Sequence, residues 1–233
     1  MKQIAAETWY DPHLDQTVPP QMRILGNGFG PVPFLVIPDA VSPALCRQLF
    51  DEAMNREDAG LARVKDEGTP TARIATSLRL TTLHTLSPGG MKLYGDAVAD
   101  LRPEIERFFN LMLLEGSGLQ VLGYGPGGFY GCHADNCSMI VGPDGEVAGW
   151  KPVASYRKIT TVLFLNGGGV EPFEGGELRF DFLFDAKHTP LVITPEAGAM
   201  IAFPSNPYFA HSVLPVVRGY RMTAVEWFDA MAL

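Results

Sequence analysis

Cysteine is scarce in this chain: three residues in 233, Cys46, Cys132 and Cys137, with no CxxC pair among them. That argues against a secreted disulfide framework and against a cysteine-built structural zinc site. Positive charge is also short. Eighteen Lys and Arg face 26 Asp and Glu, for a formal charge of −8 and a pI near 5.1. A broad phosphate-binding surface, and so nucleic acid as a partner, is not expected. No apolar run approaches the ~18 residues of a membrane span, and Met1–Pro12 lacks the basic-then-apolar pattern of a secretory leader. The expectation is a cytoplasmic protein with no membrane partner. Internal repeats and low-complexity segments are missing too.

What is present is enough apolar material for a core, 46% against 19% charged residues, and a length that fits one domain over 1–233. Residues 1–38 are Pro- and Gly-rich and read as irregular or extended. FLVIPDAVSP then runs from a short strand to a helix start, with Ser42 as N-cap and Pro43 at the first helical position. That helix is expected through ALCRQLFDEAM. A second helical region is expected over roughly 88–114, opened by Ser87-Pro88 and divided at Pro103. The stretch 58–82 gives no ordered pattern. From Leu119 onward, short apolar runs alternate with Gly/Pro turns: LQVLGY, ITTVLFLN, ELRFDFLF, PLVIT, GAMIAF, HSVLPVV and YRMTAVEWF. That pattern predicts an antiparallel sandwich or barrel. The fold class is therefore α+β, with 1–117 as a mainly helical support layer and 118–230 as the β core.

Inside the β-rich part, His133-Ala134-Asp135 is followed by His211 and then Arg221. Residues two apart on a strand share a face, so His133 and Asp135 can reach one ion. Two imidazoles and one carboxylate form the ligand set of a non-haem iron(II) site with open positions. A guanidinium ten residues after the second histidine suits the far carboxylate of an organic co-substrate, and 2-oxoglutarate fits that role. A three-residue loop at Val217-Arg218-Gly219 would pair Val216 with Tyr220 and let Gly219 adopt the left-handed conformation. That hairpin would put His211, Arg221, Val225 and Trp227 on one face, and it is the predicted form. A zinc hydrolase is a competing reading, but it lacks a helical His-Glu-x-x-His motif and leaves Arg221 without a role. A non-catalytic jelly-roll protein that binds a metal or ligand is another.

These motifs, with LQVLGYGPGGFYGCHAD, RKITTVLFLN, FEGGELRF and the closing PEAGAMIAFPSNPYFAHSVLPVVRGYRMTAVEWF, resemble the prolyl-hydroxylase-like iron(II)/2-oxoglutarate dioxygenases from about Leu119 to Phe228. The HADNC run and the insertion before Tyr156-Arg157 are most similar to the catalytic domain of leprecan-type prolyl 3-hydroxylases. The resemblance implies a double-stranded β-helix (jelly-roll, cupin-like) with supporting N-terminal helices. It implies Fe(II) on His133, Asp135 and His211, and 2-oxoglutarate on Arg221, with Thr160 beside that carboxylate and Tyr124 near the co-substrate. O2 is the other co-substrate and ascorbate an expected reductant. Phe164 stands where some relatives carry a tyrosine hydroxyl on the same carboxylate. Tyr130, Asn136 and Trp227 are expected around the substrate, and Cys132 and Cys137 as packing residues. The implied reaction is hydroxylation of an unactivated C–H in a peptide or protein prolyl residue, with release of succinate and CO2. A free amino acid or small natural product is the alternative substrate. The insertion 138–156 is expected to shape the entrance. Oligomeric state is not legible from the sequence.

Overall fold

The computed structural model describes residues 1–62 and 78–233. Of the unassigned stretch 58–82, the part 63–77 lies outside the described residues. Two antiparallel sheets pack face to face. The first runs Lys2–Ala5, Thr8–Tyr10, Leu178–Phe184, His211–Val213, Phe129–His133, Arg79–Leu80, with Pro190–Ile193 also on Leu178–Phe184. The second runs Leu35–Ile37, Met200–Pro204, Ile159–Phe164, Arg221–Ala232, Gln120–Tyr124, Thr82–His84, Gly60–Leu61, with Leu111–Gly116 on the far end of Arg221–Ala232. This is a double-stranded β-helix, and all seven apolar runs noted above form strands in it.

Period-two alternation divides the second sheet between two cores. Val162, Phe164, Val225 and Trp227 face the first sheet, where Leu178, Phe180 and Val213 meet them. Ile159, Leu163, Met222, Ala224 and Phe228 face the helices, against Leu49, Ala53, Tyr94 and Ile105. Covered on both sides, Ile159–Phe164 is buried along its whole length. That explains why its sequence reads as a continuous apolar run.

Of the two predicted helices, Pro43–Met54 is capped as expected: the Ser42 hydroxyl accepts from the Leu45 backbone N–H. The second departs from expectation. It runs unbroken from Pro88 to Phe109 with Pro103 inside, then stops at Asn110 in the left-handed conformation. Residues Leu111–Gly116 are a strand, not helix. Tyr94 and Val98 before the proline and Ile105 after it are all buried, and this packing carries the helix through the missing N–H. The N-terminal half is also less purely helical than expected, since it supplies seven of the strands named above.

The predicted hairpin after His211 does not form. Val216–Arg218 pairs with Glu174–Gly175, while the Arg221 strand pairs with Gln120–Tyr124 and Ile159–Phe164. Between them the chain crosses from one sheet to the other. Gly219 does take the left-handed conformation, at φ 82°, but it turns the crossing and not a hairpin. Among the described residues, no helix is long and apolar enough to cross a membrane.

Candidate metal centre

His133 ends its strand directly opposite His211 on the neighbouring strand, and their ring centroids are 4.4 Å apart. Asp135 follows two residues on. One ligand atom from each of the three lies within 4.8 Å of the others. The imidazoles are oriented in the same way. His133 Nδ1 meets the Gly131 carbonyl at 2.9 Å and His211 Nδ1 meets the Phe209 carbonyl at 3.0 Å. A carbonyl only accepts, so each Nδ1 carries the proton and each Nε2 keeps its lone pair for a metal. Burial, with His211 alongside, pushes His133 down to about 3, so it is neutral at pH 7. Burial alone would raise Asp135, but His211, His133 and the Thr160 hydroxyl outweigh it and hold the carboxyl below its usual range. Two imidazoles presenting Nε2 and one ionised carboxylate match the donor set that binds a divalent metal such as iron.

Arg221 enters the same cavity from the facing sheet and is 1% exposed. Its guanidinium carbon sits 4.9 Å from the ring centroid of Tyr124, its register partner, and 5.6 Å from that of Phe164. Nη1 donates to Thr223 Oγ1 at 3.4 Å, and Nε has no partner. Among the described residues Arg221 makes no ion pair. Burial pulls it below its usual range, yet a guanidinium stays charged at pH 7. Tyr124 and Glu177 offset that burial only in part, and a buried cation with no ion pair among the described residues fits an anionic ligand. Gly176, at φ 69°, passes so close that a Cβ there would stand 2.8 Å from Arg221 Cδ.

The cavity holding both features measures about 960 Å³. Tyr130 lines it, stacked on His133 at 3.6 Å and 13°. Trp227 lines it too, with the Arg157 guanidinium 3.9 Å from its ring centroid. Val225 shares that face, so the expected alternation of Arg221, Val225 and Trp227 holds, although His211 approaches from the opposite sheet. The hairpin of Cys137–Val141 and Val147–Pro152 borders the cavity through Ser138, Met139 and Val141.

Two expected residues stand elsewhere. The Thr160 hydroxyl is not beside Arg221. It donates to Asp135 Oδ2 at 2.7 Å and meets Ser205 Oγ at 2.8 Å. Thr223 has the place beside Arg221, and its position two residues on, on the same strand face, was the available signal. Asn136 does not line the cavity. Its side chain donates to the Arg157 carbonyl, and its backbone carbonyl accepts from Val153 and Ala154, so it ties the ligand loop to the end of the hairpin. Arg79 also lines the cavity, from a two-residue strand next to a polar stretch whose sequence has no pattern to single it out.

Residues 119–229 match the model of the 2OG-Fe(II) oxygenase superfamily. A PKHD-type hydroxylase of Xanthomonas campestris pv. campestris (strain B100) is 30% identical over 210 residues, covering 84% of this chain and 78% of the relative. One from Teredinibacter turnerae is 31% identical over 108 residues, so there the match spans 46% of this chain and only 41% of the relative. Among solved structures, a Pseudomonas putida prolyl-4-hydroxylase superposes with a TM-score of 0.59 at 26% identity, covering 84% of this chain and 91% of that one. A Trichoplax adhaerens prolyl hydroxylase in complex with a hypoxia inducible factor peptide fragment gives 0.62 at 17% identity over 84% of this chain and 83% of that one, a likeness of fold.

Proposed function

The chain belongs to the PKHD-type hydroxylases of the 2OG-Fe(II) oxygenase superfamily, and on that premise we propose that it hydroxylates an unactivated prolyl C–H using Fe(II), 2-oxoglutarate and O2. The observation that carries the reading is the convergence in one cavity of the His133, Asp135 and His211 ligand atoms with a buried arginine that makes no ion pair among the described residues. In this reading His133, Asp135 and His211 hold the iron, and Arg221 grips the distal carboxylate of 2-oxoglutarate. Residues 118–230 are the catalytic core. Bound iron(II) supplies activation of O2, with 2-oxoglutarate leaving as succinate and CO2.

The protein's own part is orientation and exclusion of water. The Gly131 and Phe209 carbonyls fix the imidazole tautomers. Thr160, whose hydroxyl also meets that of Ser205, holds the Asp135 carboxylate in place. Tyr124 and Phe164 offer ring faces to the Arg221 guanidinium, with Thr223 as its hydroxyl neighbour. Without a tyrosine at position 164, the contact there is a ring face and not a hydroxyl. Tyr130, which burial keeps protonated with a pKa raised to about 12, is available as a donor near the ligands. The prolyl assignment is supported by the likeness to the Pseudomonas putida prolyl-4-hydroxylase.

The test is metal content together with succinate formation and a +16 Da product from proline-containing peptides and free amino acids. Bound iron with oxygen-dependent succinate supports the reading. A folded protein that binds metal but never forms succinate overturns it in favour of a ligand-binding role.

A further inference from the structure

Arg79 has no role in the chemistry above, yet it is placed like a binding residue. It is 8% exposed, and its Nε and Nη2 are buried without a hydrogen-bond partner. No ion pair of Arg79 exists among the described residues. Its guanidinium carbon lies 4.3 Å from the ring centroid of Tyr130, the ring that stacks on His133 at 3.6 Å. The short strand Arg79–Leu80 holds it there by pairing with Phe129 and Tyr130. Arg79 is therefore one aromatic ring away from the metal ligands, on the wall of the same cavity.

The charges lining this cavity show what is lacking. Among the described lining residues the ionised groups are Arg79, Arg157, Arg221 and Asp135. Asp135 is assigned to the metal and Arg221 to the co-substrate. Two guanidiniums remain, and both act electrostatically on Tyr130. Arg157 is partly satisfied, donating to the Asp135 carbonyl at 3.2 Å and lying over Trp227. Among the described residues, the contact of the Arg79 guanidinium is the Tyr130 ring. Leaving donors of a buried cation unpaired is unfavourable unless a ligand completes them.

We propose that Arg79 is a specificity-determining residue that binds a carboxylate of the primary substrate over the Tyr130 ring, so that the preferred substrate carries a carboxylate close to the carbon hydroxylated. The inference rests on the oxygenase reading and narrows it from any prolyl group to an anionic one. The carboxylate has three sources: a free amino acid, a C-terminal prolyl residue, or an acidic side chain beside the prolyl ring.

The experiment measures ligand affinity for protein loaded with Mn(II) and 2-oxoglutarate, which avoids turnover. Three pairs of probes are compared: proline and prolinamide, an acetylated Gly-Pro acid and its amide, and an amidated Asp-Pro peptide and its Asn-Pro counterpart. In at least one pair the carboxylate member should bind about tenfold or more tightly, the scale of a charge-assisted hydrogen bond, and that pair identifies the source. Arg79→Gln should abolish the preference and Arg79→Lys should retain part of it. No preference in any pair, or a preference that survives Arg79→Gln, overturns the proposal. A rise in melting temperature on adding Mn(II) and 2-oxoglutarate checks each variant's fold. If the wild type shows no such rise, the oxygenase reading fails, and this proposal with it.

Discussion

At the scale of single residues, each candidate ligand is held by a neighbour that is not itself a ligand, and that separates two kinds of mutation. Asp135→Gly removes a donor atom and should abolish most hydroxylation. Full turnover in that variant would remove Asp135 from the site. Thr160→Val keeps the shape but deletes the hydroxyl on Asp135 Oδ2. Losing such a supporting contact should weaken metal binding on the order of 10-fold. Titrating Mn(II) into the apo-protein reads this directly, and an unchanged Kd would show that Thr160 only packs. Arg221→Ala should raise the KM for 2-oxoglutarate at least about tenfold, the scale of losing a buried charged partner. An unchanged KM would refute the anchor.

At the scale of elements, the turn through Gly175-Gly176 matters because it brings backbone against the anchor. Alanine at 176 would have to accept a left-handed φ of 69° and a Cβ 2.8 Å from Arg221 Cδ. Gly176→Ala should destabilise the fold by about 1–2 kcal/mol and raise the KM for 2-oxoglutarate as Arg221 is displaced. Denaturant unfolding with parallel kinetics checks both, and loss of stability with an unchanged KM would separate the turn from the anchor. The helix Pro43–Met54 offers a contrast remote from the cavity. Its Ser42 cap should be worth about 1 kcal/mol, lost in Ser42→Ala, with no change in KM.

At the scale of the whole molecule, His84 ties the helical layer to the second sheet. Its Nδ1 donates to the Ala53 carbonyl at 3.0 Å, and its Nε2 accepts from the Tyr220 hydroxyl at 2.7 Å. Burial lowers its pKa below the usual histidine value, so the unfolded chain takes up this proton first as pH falls. The stability it contributes is full above about pH 6.5 and declines as pH drops toward the folded-state value. His84→Gln should flatten that part of the stability profile. An equal slope in melting temperature against pH for both proteins would show that His84 is not the group responsible.

The sequence alone determined what depends on local spacing and alternation. The two-residue step from His133 to Asp135, the shared face of Arg221, Val225 and Trp227, the Ser42-Pro43 helix start and the seven apolar strands are all fixed by backbone period and capping chemistry. Tertiary structure decided which strand pairs with which. His211 and Arg221 are ten residues apart and suggested a hairpin. The chain instead crosses between sheets through Gly219, and the two side chains enter one cavity from opposite walls. The same long-range pairing set Thr160 on Asp135, gave its expected place to Thr223, and brought Arg79 to the ring beside His133. Such partners come from burial summed over distant segments, which no local pattern records.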